Sequence, residues 1–521
     1  MSFERISERE RQSLITVAVW LVGLWIAWIA GHWVAEGEME WLIFAALGFV
    51  LSAIALVILR NWRKGFYFFV IWLLFEDLIR KYLGNNMAIF FAKDALVGLC
   101  YISLLLAVRR KEFKVLRPPF LLFLMLFFWL AVLQVFNPYS PSPLYGFLGL
   151  KVDFFYVPLM FLSYALIRHE RDLHRFLLMF MILALVISGL GILQAMIGPT
   201  FLNPATLQRD IRELGSLQKV TPLTDQAFFL PCGVFVSSGR FALYLILAVI
   251  IGLGTAGYFV LSSLKGRKLT YIGIATIAVA VMLSGSRGAL LFSIISALVL
   301  CAALLWGAPW RWGRGRRLFK AVRRSLLFAS LGLAAFILIF PAAAGSRLSF
   351  YSQTLLPSSS AYELGTRSWT YPMEELGKAL SAPHSIVGNG TGTATLGMQY
   401  VSAILERPTP DVAVEEGMGQ LIAEMGILAP ILWILLGVAV LRACWKVARS
   451  LKETRFFPIG IAIVWYVFIL LFALTYLSID AYQNYVNNAF CWLLIGILFR
   501  LPDLAQQDNV APVAAVDTPN S

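Results

Sequence analysis

Apolar stretches of helical length alternate with short polar, mostly basic segments from near residue 13 to near residue 500. About 20 apolar residues carry a helix across the hydrocarbon core of a bilayer. On that rule the chain contains about fourteen spans. They begin near residues 13, 41, 64, 88, 118, 147, 173, 239, 268, 287, 325, 417, 457 and 484. One weak span, the third or the sixth, fits a re-entrant segment instead; since both ends inside require an even count, twelve is then the fallback. The first run, Ser13 to Val34, follows the charged start Glu4, Arg5, Glu8, Arg9, Glu10 and Arg11 and has no small-residue cleavage site, so it reads as a retained helix. The fold class expected is all-α: a polytopic transmembrane helical bundle of about 12–14 spans.

Charge orients the bundle. The basic clusters Arg60–Lys64, Arg109–Lys111, Arg168–Arg175, Lys265–Lys268, Arg311–Arg324 and Arg442–Arg455 fall in every second loop. With both termini inside, about thirty of the 43 Lys and Arg lie on the cytoplasmic side, as the positive-inside rule requires. The chain has 521 residues, 60% of them hydrophobic and 14% charged, well below the quarter a soluble surface needs. A net charge of +14 would suggest nucleic acid in a soluble protein. Here loop charge explains it, and no aromatic platform accompanies the basic residues, so nucleic acid is excluded as a partner. The five cysteines (Cys100, Cys232, Cys301, Cys444, Cys491) show neither metal-ligand nor disulfide spacing, and no cofactor fingerprint is present, so no metal or cofactor is expected.

Two segments assigned to the outer side are long, about 199–238 and 343–416. Loops of this length are functional or disordered. The second holds helix-compatible stretches, Ser368–Leu380 and Leu396–Glu406, and predicts a partly ordered cap. The organisation expected is therefore an N-terminal bundle (1–342), a large extracytoplasmic loop (343–416), C-terminal helices (417–500) and a disordered cytoplasmic tail (501–521).

Charges near membrane depth are costly and so informative. Glu76, Asp77, Arg80, Lys81, Lys93, Asp94, Lys151, Asp153, Arg240, Arg287 and Asp480 all fall at outer helix ends on this topology. Singly, each is explained as an interfacial residue; together they argue for a mixed-charge chamber at the outer leaflet. The sharpest local feature is Ser284-Gly-Ser-Arg287-Gly-Ala-Leu-Leu291, a small-residue turn between two apolar runs that presents one guanidinium at a helix start. Arginine there suits bidentate contact with a phosphate. Arg240, after Phe235-Val-Ser-Ser-Gly239, opens another span and is a candidate second contact. Arg209, Arg212, Arg347 and Arg367 read as solvated surface, with Arg367 kept as a candidate substrate contact.

The exit of the large loop, Glu415-Glu416-Gly-Met-Gly-Gln-Leu-Ile-Ala-Glu424-Met-Gly426, supplies carboxylates. Glu416 and Glu424 would share one face of a continuous helix. Glu416 could act as general base toward a sugar hydroxyl if burial raised its pKa, although glutamate at a helix start also simply complements the dipole. Glu415 is its neighbour on the substrate side. His384 is the histidine of the large loop and a weaker candidate, since a lone loop histidine is more often structural.

The turn Ser284–Leu291, the loop segment Val387-Gly-Asn-Gly-Thr-Gly-Thr393 and the exit Glu415–Pro430 resemble the O-antigen ligase and Wzy-type polymerase superfamily. Phe75–Gly84 followed by Ala92–Tyr101 is similar to an N-terminal pattern of some members. The resemblance covers roughly residues 65–500. It implies a GT-C-like, metal-independent glycosyltransferase of a bacterial inner membrane, acting outside the cytoplasm on an undecaprenyl-diphosphate-linked glycan donor and a sugar acceptor. Membrane lipids and other polysaccharide-assembly proteins would be its partners. The diphosphate-holding arginines would correspond to Arg287 and Arg240. Ligases of the superfamily carry a histidine where the large loop re-enters the membrane; this chain has Glu415-Glu416-Gly417. That departure favours a polymerase or an exopolysaccharide enzyme over a ligase, with Arg287 neutralising the leaving diphosphate and Glu416 activating the acceptor. A lipid-linked-oligosaccharide flippase is the rival, but it predicts charges at mid-depth and no large outer loop. A non-catalytic scaffold is the third reading.

Overall fold

The computed structural model describes residues 55–83, 87–110, 116–204, 217–262, 266–307, 337–410 and 414–510, with isolated positions at 52 and between 320 and 334. The span expected near residue 13 lies outside the described residues, as do most of the one near 41 and nearly all of the one near 325. In order, the helices are α1 (Trp62–Leu83), α2 (Met87–Arg109), α3 (Leu121–Gln134), α4 (Pro143–Phe154), α5 (Leu159–Leu166) and α6 (Glu170–Ile197). After a short antiparallel hairpin of Gln218–Val220 with Ala227–Phe229 come α7 (Ser238–Ser262), α8 (Arg267–Leu283) and α9 (Arg287–Gly307). The large loop carries α10 (Pro341–Leu355), α11 (Tyr371–Ser381) and α12 (Met398–Ile404). The chain closes with α13 (Gly417–Met425), α14 (Leu428–Ser450), α15 (Phe457–Phe468), α16 (Asp480–Gln483) and α17 (Tyr485–Val510).

The protein is an all-α, multi-pass helical bundle. Among the described residues eight helices are long and apolar enough to cross a membrane, α4 and α5 counting as one broken span. Three further expected spans are helical but fall short of a full apolar crossing. The 14-residue α3 and the 17-residue α8 rise only about 21 and 26 Å, against a hydrocarbon core of about 30 Å. The 22-residue α1 is long enough but carries Glu76, Asp77, Arg80 and Lys81 in its last two turns.

Two boundaries differ from the sequence reading. The span expected from 417 begins at Leu428, because the turn at Gly426 ends the separate short helix α13. The tail expected to be disordered from 501 stays helical to Val510, since Leu501 and Leu504 remain apolar and bury against the bundle, and Arg500 ties back to Asp503 and to the Ile167 carbonyl. Residues 511–521 lie outside the described set.

Most of the described core is one continuous apolar cluster, with small separate clusters such as Phe228, Leu230, Phe350 and Tyr351 beside it. It runs from Phe66, Phe69 and Leu73 of α1 through Leu173–Ile187 of α6 and Phe241–Phe259 of α7 to Phe490–Leu501 of α17. Leu122, Trp129, Leu298, Leu305, Ile431 and Val438 point outward instead. Lipid tails are as apolar as leucine, so an outward stripe of this kind costs nothing in a bilayer. At one end of the bundle Glu170 takes Arg455 at 2.8 Å and the Tyr258 hydroxyl at 2.7 Å, joining the basic loops that start α6, end α7 and start α15. The other end gathers the end of α1, the starts of α2, α7, α9 and α17, and the roof formed by the large loop.

Candidate functional site

The Ser284-Gly-Ser turn is built for a tight reversal. Gly285 sits at φ +65°, and a Cβ there would lie 2.5 Å from Leu230 and 2.8 Å from Phe228 of the hairpin. The Ser286 hydroxyl accepts the Ala289 N–H and so caps α9, leaving Arg287 in its first turn. The guanidinium of Arg287 lies over the Phe350 ring and donates to Glu363 at 2.6 Å.

Arg287 lines a cavity of about 830 Å³. One wall is the face Arg287, Leu291, Phe292 and Ile295 of α9. These positions run from the helix start about 12 Å toward the membrane interior. The large loop closes the other sides with Glu363, Arg367, Ser368, Tyr371 and residues 394–399, and the floor includes Glu415, Gln420 and Asp480. A basic pole, carboxylates and an apolar stripe thus share one space. The Tyr371 hydroxyl donates to Glu415 at 2.6 Å, and that bond to a carboxylate pushes the phenol up to about 12. Asp480 sits in the polar break between α15 and α17. Enclosure by protein raises its carboxyl above the ordinary value, against a bond from Gln420 and the charge of Arg240, which pull it down.

The Val387–Thr393 segment does not touch a ligand space directly; it fastens the roof. Asn389 bonds the Ala423 carbonyl, and the Ala394 N–H and Thr395 hydroxyl bond Glu424 at 2.9 and 2.7 Å. Gly392 at φ +86° lets the backbone pass so close to α4 that a Cβ would fall 1.8 Å from the Tyr145 carbonyl oxygen. The strip 394–399 is thereby held over the cavity.

Of the sequence candidates, Arg287, Arg367 and Glu415 come together around this cavity. Glu416 does not line it. Its carboxylate accepts the Met418 and Gly419 N–H groups at 2.9 and 2.6 Å, capping α13, and the residue is 1% exposed. Burial raises its carboxyl while those two N–H groups lower it. The single helical face expected for Glu416 and Glu424 is also absent, because the helix starts only after Glu416. His384 stacks on Tyr139 at 3.9 Å between ring centroids and is not among the cavity walls. Arg347, expected as solvated surface, is buried and donates to the carbonyls of Leu283 and Phe229, tying α10 to the end of α8 and to the hairpin. Arg209 and Arg212 lie outside the described residues.

Arg240 lies in an adjoining recess with the membrane-depth charges. Asp77 takes Arg80 at 3.2 Å and Arg240 at 3.0 Å; Glu76 takes Lys93 at 2.9 Å; Asp94 takes Lys151 at 2.7 Å. Charges scattered over α1, α2, α4 and α7 therefore form one network at a single end of the bundle. Sequence reasoning counted Asp480 only among the helix-end charges and did not select Gln420, Tyr371 or Tyr400. For Asp480 a signal existed: it breaks the apolar run of the last two spans in Ser478-Ile-Asp-Ala-Tyr-Gln-Asn484.

No family model, curated protein or solved structure matches the chain.

Proposed function

We propose that this protein is a membrane glycosyltransferase that polymerises an undecaprenyl-diphosphate-linked glycan on the extracytoplasmic face of a bacterial inner membrane. The observation that carries the reading is the cavity in which Arg287 and Arg367, the carboxylates Glu415 and Asp480, and the apolar stripe Leu291, Phe292 and Ile295 meet. A lipid diphosphate needs cations for its head and an apolar track for its chain, and the first turns of α9 supply both in sequence. In this reading an acceptor hydroxyl attacks the anomeric carbon of the donor. Asp480 takes the hydroxyl proton, the bond from the anomeric carbon to the diphosphate oxygen breaks, and the diphosphate leaves with the electron pair beside Arg287. One displacement inverts the anomeric centre. Asp480, not Glu416, holds the base role, because it faces the cavity while Glu416 is spent on capping α13.

A flippase remains the alternative from another class, and an O-antigen ligase the alternative within this one. The gathering of charge at one end of the bundle, instead of along a central path, favours the enzyme. The test is polysaccharide profiling of a deletion strain complemented with wild type, Arg287→Ala or Asp480→Asn, with membrane expression confirmed. Loss of long chains with accumulation of single lipid-linked repeats in both variants supports a polymerase. Accumulation of long unattached lipid-linked chains identifies a ligase. Full complementation by both variants removes the proposed site.

A further inference from the structure

The hairpin that packs on the Ser284-Gly-Ser turn carries a cation that no local pattern marks, Lys219. Register sets Lys219 directly opposite Phe228, and paired residues share one face of a two-stranded ladder. That face meets the bundle: Phe228 packs on the Phe350 ring of α10 at 5.3 Å between centroids. Gln218 and Val220, which flank Lys219, are exposed, whereas Lys219 is half-buried. Its ammonium lies 4.9 Å from the Phe350 centroid, and the Arg287 guanidinium lies 5.4 Å from the same centroid. Laid end to end, those distances put the two charges at most about 10 Å apart.

The two cations differ in what holds them. Arg287 has Glu363 at 2.6 Å. Among the described residues the Lys219 ammonium makes no hydrogen bond or ion pair, and the ring face that attracts it leaves its three N–H donors unused. The charges that bear on Lys219 are Arg287, Glu363 and Arg367. Burial first, and then Arg287 with Arg367, push its ammonium below the ordinary value, against the pull of Glu363. An anion between Lys219 and Arg287 relieves that repulsion. Position adds a direction. The stripe Leu291, Phe292 and Ile295 leaves Arg287 along α9 toward the membrane interior, whereas the hairpin meets the turn before α9, at Gly285. Lys219 and the stripe therefore approach Arg287 from opposite ends.

We propose that Lys219 is a second phosphate contact of the donor: Arg287 takes the lipid-side phosphate of one diphosphate and Lys219 the sugar-side phosphate. The inference rests on the transfer reading of the cavity, and it assigns to Lys219 the choice of a diphosphate over a monophosphate. The resemblance would give that place to Arg240, which pairs with Asp77 at 3.0 Å outside this cavity. Lys219 stands just outside the cavity walls, and its flexible four-carbon stem carries the ammonium toward Arg287 when the second phosphate is present. The contact is that of a point charge, so its sign matters more than its shape.

The test is binding to the full-length protein in nanodiscs at fixed ionic strength, with farnesyl diphosphate and farnesyl monophosphate as probes. The terminal phosphate of the first stands in for the sugar-side phosphate. Wild type is expected to prefer the diphosphate. Lys219→Met should weaken the diphosphate at least about tenfold, the loss expected for a charge-assisted contact, and leave the monophosphate unchanged. Methionine keeps an apolar stem against Phe350, so the variant is expected to fold, and Lys219→Gln serves as the second neutral variant. Lys219→Arg should keep the preference, and Arg287→Ala should weaken both probes. Equal weakening of both probes by Lys219→Met and Lys219→Gln overturns the proposal, because a merely structural lysine would act on both. Unchanged diphosphate affinity in either variant, or no preference in wild type, also overturns it. Polysaccharide profiling separates the two readings. If Arg287→Ala and Asp480→Asn both polymerise normally while Lys219 governs the preference, the transfer reading fails and the phosphate contact stands. The reverse pattern removes only the contact.

Discussion

Replacing Glu363 by glutamine removes the carboxylate that Arg287 holds at 2.6 Å across the cavity. An anionic donor must compete with that carboxylate for the same guanidinium, so the substitution is expected to tighten binding of a polyprenyl diphosphate. The size of the effect follows from exposure. Arg287 is 21% and Glu363 41% exposed, which places the pair near the class of solvent-accessible ion pairs worth about 0.2–1 kcal/mol. At the upper end, about 1 kcal/mol is about a fivefold change in an equilibrium constant. Folding stability should change by no more than the same amount. The assay is titration of the purified protein with farnesyl diphosphate, a short-chain probe, in wild type, Glu363→Gln and Arg287→Ala. The expected order of affinity is Glu363→Gln, then wild type, then Arg287→Ala, with the first gap narrowing at high salt as screening weakens the competing pair. Weaker binding by Glu363→Gln would refute the reasoning, because it would make Glu363 a positioning partner of Arg287 and not a competitor.

Asp480 must be ionised to accept a proton, and enclosure raises its carboxyl above the ordinary value near 3.9. Activity should therefore fall on acidification through that raised value, at a higher pH than an aspartate with the ordinary value would give. Asp480→Asn should abolish the acid limb and lower the rate about 10²–10⁴-fold, as a pH–rate profile would show. Glu416→Gln should retain chain polymerisation, whereas Glu416→Ala should lower stability by about 0.5–2 kcal/mol through loss of the cap on α13, read by thermal unfolding. Arg347→Met should destabilise by about 2–4 kcal/mol by leaving the carbonyls of Leu283 and Phe229 without their charged donor, with the shift again visible in thermal unfolding.

Membrane helices advertise themselves, because the bilayer demands a long apolar run whatever the neighbouring helices do. For that reason each span expected within the described residues is a helix, and of the two helices of the large loop's centre α12 falls inside its expected stretch and α11 overruns its own by one residue. The Arg287 turn was legible for a similar reason: small residues, a charge and two flanking apolar runs are all local. Where local pattern was silent, the outcome depended on partners distant in sequence. Glu416 and Glu415 are adjacent and chemically alike, yet one caps α13 and the other faces the cavity, a choice made by where the chain enters that helix. Arg347 and Arg367 read alike as loop basics. The first finds two buried carbonyls on α8 and the hairpin, and the second finds the cavity. His384 stacks on Tyr139 of another segment, away from the cavity. Asp480 and the recess of Lys93, Lys151 and Arg240 join residues separated by hundreds of positions. The sequence alone determined an all-α bundle in a membrane with its costly charges at helix ends, because hydropathy is a property of each segment. Only the tertiary structure decided which of those charges share a cavity, because distance between side chains belongs to the packing of helices and not to any one of them.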